Sequence, residues 1–283
     1  MDWCKFVVSI QKSMDIAGYS ASIFIGISLG LIGGGGSILT VPVLVYLFSL
    51  DAVLATAYSL FIVGSTSVVG SFSYFKKGLV SIKTALVFGI PSIVSIFLTR
   101  EYVLPAIPQE VFTIGNYTIT KNMLLMLLFA ILMIAASYSM IKKIRKEDDE
   151  ALQKQQFNYL QILLQGIFIG VITGLIGAGG GFLIIPALVN LLKLPMKTAV
   201  GTSLVIISIN SLMGFLFSLP HTSVQWGFLL SIASIAIIGI LIGSYLSTKI
   251  KASKLKPAFG WFVLVMGIYI IVKRSCRRKI QNR

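Results

Sequence analysis

Apolar residues of this chain fall into long uncharged stretches that are separated by short polar or basic segments. A helix needs about 20 apolar residues to cross a hydrocarbon core of roughly 30 Å, and several of the stretches reach that length. The pattern therefore predicts an all-α polytopic membrane protein with eight hydrophobic segments. These segments lie at about 21–50, 52–75, 84–99, 121–141, 158–192, 198–220, 224–248 and 257–272.

A densely charged stretch at 142–156, KKIRKEDDEALQKQQ, divides the chain near its middle. We interpret it as a solvated linker between a first transmembrane repeat at 1–141 and a second at 157–283, which ends in a basic C-terminal tail. The two parts align without a gap at a constant offset of 144 residues, as GISLGLIGGGGSILTVPVLVYLFSL from Gly26 and GVITGLIGAGGGFLIIPALVNLLKL from Gly170 show. Such a register indicates two homologous four-segment repeats that arose by duplication.

The first segment of each repeat is too long for one untilted span, since about 30 helical residues rise roughly 45 Å. Each segment contains a glycine run, and glycine costs a helix about 1 kcal/mol per residue relative to alanine. We therefore predict non-helical breaks that face each other near the membrane centre. If each broken segment crosses the membrane, the halves are parallel; if each turns back as a hairpin, they are inverted, and the sequence leaves both open. The glycines are Gly33, Gly34, Gly35 and Gly36 in the first run and Gly177, Gly179, Gly180 and Gly181 in the second.

The two breaks are candidate parts of a substrate site. Irregular backbone inside a membrane persists only where protein or a wet cavity covers it, and breaks at corresponding places of two repeats are typical of transporter binding sites. The helices predicted after the breaks, at 38–48 and 182–192, would present unpaired N–H groups to a small anion. We expect these donors at residues 36–39 and 180–183. The alternative is that the glycines only allow close helix packing.

Polar side chains on the breaks and the helices that follow complete the predicted substrate site. Ser59 and Ser203 rank highest because they occupy corresponding places in the two repeats. Serine and threonine also commonly bond their own helix backbone, which is the competing explanation. Asp51 is expected to be a helix N-cap, and His221 a turn residue. The full polar set is Ser37, Ser59, Thr202, Ser203 and Asn210, with Pro42 and Pro186 as structural residues in matching positions.

Composition and charge narrow the function class. Of the chain's residues, 56% are hydrophobic and 12% are charged, with a net charge of +15. The lysines and arginines lie mainly in the segments between the apolar stretches and in the C-terminal tail. That distribution is the loop bias of a membrane protein and argues against nucleic acid as a partner. We expect no charged residue in the middle of any apolar segment, which argues against a cation carrier. No enzymatic activity, metal site or cofactor is predicted; the expected partners are a small anionic substrate and the lipid bilayer, and homo-oligomerisation is left open.

The glycine runs, together with Ala-Val-Gly-Thr-Ser-Leu at 199–204, resemble the sulfite exporter TauE/SafE family, also called the 4-toluene sulfonate uptake permease family (TSUP). The resemblance covers nearly the whole chain, although the first half carries Ala-Thr-Ala-Tyr-Ser-Leu at 55–60 instead. It implies a multi-pass secondary transporter of the cell inner membrane that exports small organosulfur anions such as sulfite, sulfonates or sulfoacetate. The substrate would bind near the midplane between the two repeats. A passive anion channel, or an uptake permease for thiosulfate or a small carboxylate, is the alternative.

Overall fold

Helices form nearly all of the secondary structure that the computed structural model describes, which covers residues 18–31, 33–114, 117–141, 159–190, 192, 194–247, 261, 264–265, 267–268 and 270. The 142–156 linker and much of the last apolar segment lie outside this set. The α-helices are α1 (Gly18–Leu31), α2 (Thr40–Tyr46), α3 (Ala52–Lys76), α4 (Ile82–Leu98), α5 (Leu104–Ala106), α6 (Lys121–Ile141), α7 (Tyr159–Ile176), α8 (Gly181–Asn190), α9 (Met196–Ser218) and α10 (Trp226–Ser247). Short 3-10 helices occupy Gly34–Leu39 and Leu219–His221, and a π-helical turn occupies Thr99–Val103.

The prediction of an all-α fold needs one correction. Two antiparallel strands, β1 (Glu110–Ile114) and β2 (Tyr117–Thr120), lie between α5 and α6. Their sequences, EVFTI and YTIT, are rich in the β-branched and aromatic residues that favour strands. They fall outside the predicted apolar segments, so the membrane-spanning part of the fold is unaffected.

Four helices are long and apolar enough to cross a membrane: Ala52–Lys76, Ile82–Ala106, Lys197–His221 and Trp226–Leu246. The second of these joins α4, the π turn and α5 into one rod. Large apolar side chains such as Leu86, Ile90 and Val94 lie exposed along α4, which suits a surface that faces lipid instead of water.

The first glycine-broken segment folds back on itself as a hairpin. The rings of Tyr19, at the start of α1, and Phe48, just after α2, lie 5.8 Å apart between centroids. At the other end, a Cβ added to Gly36 would lie only 2.4 Å from the Leu29 nitrogen. The chain therefore enters along α1 and returns along α2 to the face from which it came.

The second broken segment behaves in the same way. A Cβ on Gly180 would lie 2.3 Å from Thr173 Oγ1 and 3.0 Å from Ile169 Cγ2, so the chain doubles back against α7. Ile162, near the start of α7, and Leu188, near the end of α8, belong to the same buried cluster. We call these two structures the first hairpin (α1 to α2) and the second hairpin (α7 to α8).

The central helices α3 and α9 run antiparallel. A Cβ on Gly64 of α3 would lie 2.8 Å from Leu212 Cγ of α9, and one on Gly214 of α9 would lie 3.1 Å from Leu60 Cδ1 of α3. Residue numbers therefore increase along α3 in the direction in which they decrease along α9. Because α3 and α9 hold corresponding places in the sequence alignment, their opposite directions favour the inverted alternative over the parallel one.

Each hairpin packs against the helix that follows the central helix of the other half, which is α10 for the first hairpin and α4 for the second. Gly26 of α1 approaches α10, where its Cβ would lie 2.8 Å from the Gly239 Cα. Gly170 of α7 approaches α4, where its Cβ would lie 2.7 Å from the Ser95 Cβ. Gly26 and Gly170, and likewise Ser95 and Gly239, are separated by the same 144 residues as the sequence alignment. The halves are thus interlocked, and neither hairpin is covered by its own half alone.

Cysteine accessibility tests the inverted arrangement. In a chain with Cys4 and Cys276 replaced by serine, we expect single cysteines introduced as Ser49→Cys and Ser223→Cys to react with an impermeant maleimide from the same membrane face. Lys77→Cys should react from the opposite face. All three positions are exposed. If Ser223→Cys instead shared a face with Lys77→Cys, the segments would cross the membrane and the hairpins would be refuted.

Candidate functional site

The tips of the two hairpins meet backbone to backbone. A Cβ on Gly34 would lie 2.4 Å from the Gly181 Cα, and one on Gly181 would lie 2.5 Å from the Gly34 Cα. Real Cβ atoms do not approach other atoms so closely, so only glycine fits on either side of this contact. The prediction that the two breaks face each other is confirmed. We call Gly33–Gly36 the first break and Gly177–Gly181 the second break.

The first break differs from the prediction of an unwound segment. Only Gly33 has a left-handed backbone, with φ 76°, and from Gly34 the chain forms a 3-10 helix that passes into α2 at Thr40. In a 3-10 helix each N–H bonds the carbonyl three residues earlier, so the unpaired donors belong to the first residues. They are therefore at Gly34 and Gly35, slightly earlier than the predicted 36–39.

Two residues of the first break serve the hairpin itself. The Ser37 hydroxyl donates to the Gly34 carbonyl oxygen at 2.7 Å. Gly36 allows the 3-10 helix to pass close to α1, since its Cβ would lie 2.4 Å from Ser28 Oγ. Tight folding of the chain explains both positions without a ligand.

The second break is the less regular of the two. Gly177, Gly179 and Gly180 have φ values of 73°, 65° and 66°, in the left-handed region that L side chains rarely adopt. The N–H of Leu183 donates to the Gly180 oxygen at 2.9 Å, so the donor predicted at residue 183 is already engaged. The N–H groups that have no intrahelical partner at the start of α8 are those of Gly181 and of the residue that follows it.

Five buried hydroxyls of the described residues lack a hydrogen-bond partner; two belong to Thr40 and Ser67, and the other three surround the second break. These three belong to Ser59 of α3, Thr173 of α7 and Ser211 of α9. Thr173 Oγ1 would lie 2.3 Å from a Cβ on Gly180, and Ser211 Oγ 2.8 Å from one on Gly179. Buried hydroxyls are normally paired, so three orphans in one place call for a missing partner.

The neighbours of Ser59 on α3 show that it lies on the face of the helix next to the second break. Thr56, one turn before it, lies against Gly177, whose Cβ would be 2.3 Å from the Thr56 carbonyl oxygen. Val63, one turn after it, lies against Gly179, whose Cβ would be 2.8 Å from Val63 Cγ1. Residues three and four apart share a helix face, so Ser59 faces the second break.

Two other predicted hydroxyls of the second half, those of Thr202 and Ser203, have partners. Ser203 Oγ donates to the Val200 carbonyl oxygen at 2.8 Å, and Thr202 Oγ1 accepts the N–H of Ser81 at 2.9 Å. Thr202 therefore ties the start of α4 to α9. The competing explanation, local backbone bonding, holds for Ser203 and fails for Ser59 among the bonds of the described residues.

The remaining predicted residues hold helices in place. Asn210 of α9 donates from Nδ2 to Ser92 Oγ of α4 at 2.7 Å, and both side chains are buried. Pro42 lies within α2 and Pro186 within α8, each in the short helix that follows a break. These three positions shape the two hairpins and the helices around them.

Two residues outside the substrate set lie where the sequence predicts. Asp51 is the N-cap of α3, where its carboxylate accepts the Val53 N–H at 3.0 Å. His221 closes the 3-10 turn after α9, and its Nε2 lies 3.5 Å from Glu101 Oε2. Both predictions are confirmed, although the contact of His221 with Glu101 was not foreseen.

Sequence reasoning missed Thr173 and Arg100. Thr173 lies just before the second glycine run, and only the folding back of the chain brings it to Gly180. Arg100 follows the predicted segment 84–99, so the expectation of no charged residue in the middle of a segment did not cover it; it is 2% exposed within the span Ile82–Ala106. The apolar stretch ends at 99 by composition, but the helix continues and carries the arginine into the protein.

Comparison with known proteins matches the chain to one family and to several relatives. The sequence profile of a family described as "Sulfite exporter TauE/SafE" matches residues 19–270. A "Probable membrane transporter protein" of Xylella fastidiosa (strain 9a5c) is 30% identical over 252 residues, which cover 87% of this chain and 91% of the relative. The "Probable membrane transporter protein YunE" of Bacillus subtilis (strain 168) is 27% identical, covering 85% of this chain and 91% of the relative. No solved structure matches the chain.

Substitution at the hairpin contact tests its tightness. We expect Gly34→Ala to lower the free energy of unfolding by about 1–3 kcal/mol, because the new methyl group collides with the Gly181 backbone. The matched control is Gly89→Ala in α4, where a Cβ meets nothing within 4 Å and should be neutral or stabilise by up to about 1 kcal/mol. Thermal unfolding of the two purified variants measures the difference. Equal stability of both would contradict a direct contact.

Proposed function

Because the chain belongs to the sulfite exporter TauE/SafE family of membrane transporters, we propose that it exports small organosulfur anions such as sulfite, sulfonates or sulfoacetate by secondary transport. The proposed setting is the cell inner membrane. The relatives are named only as membrane transporters, so substrate and direction belong to this proposal. Its physical support comes from the second break.

The observation that carries the proposal is the set of three unpartnered hydroxyls, of Ser59, Thr173 and Ser211, around left-handed glycines at the start of α8. Each hydroxyl can donate to an anion, and so can the free N–H groups of the helix start. Hydrogen bonds to a charged group are worth about 1.5–3 kcal/mol each. A partly buried helix N-terminus contributes up to about 2 kcal/mol more.

Hydrogen bonds of this strength allow a transported substrate to bind and to dissociate again. An oxyanion with three or four oxygens can accept from several of the donors at once, which offsets part of its desolvation. Apart from Arg100, the described residues named around the second break are neutral. A neutral donor set of this kind binds an anion without holding it permanently.

The hairpins provide a mechanism of transport. The first hairpin opens toward the face where α3 begins, and the second toward the face where α9 begins, so the Gly34–Gly181 contact lies between two oppositely directed openings. In transporters built from inverted halves, one unit rocks against the other around a fixed central site. We propose that small movements at this contact expose the second break to one face at a time.

The same contact favours a carrier over a passive channel. Two backbones that leave no room for a Cβ between them close the path at that point, whereas a channel needs a continuous opening. Uptake of thiosulfate or a small carboxylate would use the same donors. Turnover in liposomes and a panel of anions separate these alternatives.

Exchange of labelled sulfite in proteoliposomes tests the site. We expect Ser59→Ala, Thr173→Val and Ser211→Ala each to weaken sulfite binding by about tenfold, which corresponds to about 1.4 kcal/mol for one lost hydrogen bond. The matched control is Ser203→Ala, which corresponds to position 59 but already donates to Val200. It should retain nearly full affinity.

The panel for the wild type contains sulfite, thiosulfate, sulfate, sulfoacetate and taurine. If folded Ser59→Ala and Ser211→Ala proteins bind sulfite as tightly as the wild type, the site is elsewhere and the glycines serve packing. Saturable exchange at a low turnover supports a carrier. Unsaturated flux at channel rates would overturn that part of the proposal.

A further inference from the structure

Arg100 is a buried cation at a local distortion of its helix. It lies in the π-helical turn Thr99–Val103, which interrupts the rod formed by α4 and α5. Such turns are rare and frequently occur at functional sites. The residue is 2% exposed within a span that is long and apolar enough to cross the membrane. Ionisable residues at such positions are rare and usually functional.

Two guanidinium nitrogens of Arg100, Nε and Nη2, have no hydrogen-bond partner. These two nitrogens form one edge of the guanidinium group. Within the described part of the chain no carboxylate lies at ion-pair distance from Arg100, and the carboxylate of the adjacent Glu101 lies 3.5 Å from His221 Nε2. An uncompensated buried charge is strongly unfavourable, so this edge is expected to have a partner of opposite charge.

The surroundings of Arg100 connect it to the second break. Its neighbour Thr99 lies against α7, since a Cβ on Gly174 would be 2.7 Å from Thr99 Cβ. Gly174 is one turn before Gly177, where the second break begins. The π turn also packs against α9. The turn that carries Arg100 therefore packs against α7 and α9, the helices that carry Thr173 and Ser211.

The two halves differ at this position. The 144-residue offset that aligns Gly26 with Gly170 places Ser244 of α10 opposite Arg100. One half thus carries a fixed positive charge where the other carries a neutral residue. An oxyanion would meet that charge on only one side of the hairpin contact.

We propose that Arg100 is an anion-binding residue of the transport pathway, which holds the oxyanion through Nε and Nη2 on the side of the second break toward the end of α4. The guanidinium edge offers two parallel N–H donors that match two oxygens of a sulfite or sulfonate group. The inference rests on the proposed function and adds a charged residue to its neutral site.

Binding to purified protein in neutral-lipid liposomes tests this role. Sulfite should raise the unfolding temperature of the wild type, and Arg100→Met should weaken sulfite affinity at least tenfold. Arg100→Lys keeps the charge but loses the paired donors, so we expect an intermediate loss. Glu101→Gln is the matched control, because it changes a charge on the same turn without touching the guanidinium, and should bind as the wild type.

Stability without anion separates binding from a structural role. If the Arg100 charge has no partner in the absence of an anion, Arg100→Met removes an uncompensated charge. The unfolding temperature of this variant should then be about 2–4 °C higher than that of the wild type in anion-free buffer. A destabilised Arg100→Met together with an Arg100→Lys that binds sulfite normally would overturn the proposal. If Arg100→Met cannot be purified, unchanged sulfite affinity in Arg100→Lys is by itself sufficient to reject it.

A second lipid composition distinguishes the source of the anion. When phosphatidylglycerol is added to the liposomes, the sulfite response should persist. A stabilisation that follows phosphatidylglycerol and ignores sulfite would assign the guanidinium to a lipid phosphate and reject the substrate role. If the wild type and every Arg100 variant exchange sulfite equally well, only this inference is refuted. If the wild type exchanges none of the anions, the proposed function is refuted.

Discussion

The contact between the Gly34 and Gly181 backbones is the constraint on which the rest of the fold depends. It permits no side chain on either residue, and it joins two interruptions that a membrane would not tolerate alone, because exposed backbone polar groups are too costly in hydrocarbon. The interlocked packing of α1 on α10 and of α7 on α4 holds both hairpins at the depth where their tips meet. Small residues such as Gly26 and Gly170 make that packing close enough.

The hairpins look equivalent in sequence but differ in chemistry. At the first break most backbone N–H groups are bonded within a 3-10 helix, and the Ser37 hydroxyl donates to a carbonyl of the same turn. At the second break three glycines are left-handed and the nearby hydroxyls have no partner. Three of the five unpartnered hydroxyls of the described residues therefore lie at the second break, and Thr40 and Ser67 carry the other two. The pair Ser59 and Ser203 shows this at a single aligned position, since only Ser203 bonds its own backbone.

The local features of this fold could be predicted from the sequence, and the features that depend on distant contacts could not. Glycine runs break helices and Asp51 caps one for reasons that act within a few residues. Whether a broken segment crosses or returns depends on contacts such as Tyr19 with Phe48, which no local pattern records. The same holds for Thr173, which acquires its place only when α8 folds back. Arg100 was missed because composition ends the apolar stretch one residue too early.

The central claim is that a small oxyanion binds at the second break, and direct localisation tests it best. Selenite has the shape and charge of sulfite and scatters X-rays anomalously, so crystals of the protein grown or soaked with selenite would locate the anion. We expect an anomalous peak within hydrogen-bond distance of the Gly181 N–H and of the hydroxyls of Ser59, Thr173 or Ser211. A well-diffracting crystal with selenite bound only at other positions, and with the second break empty, would contradict it.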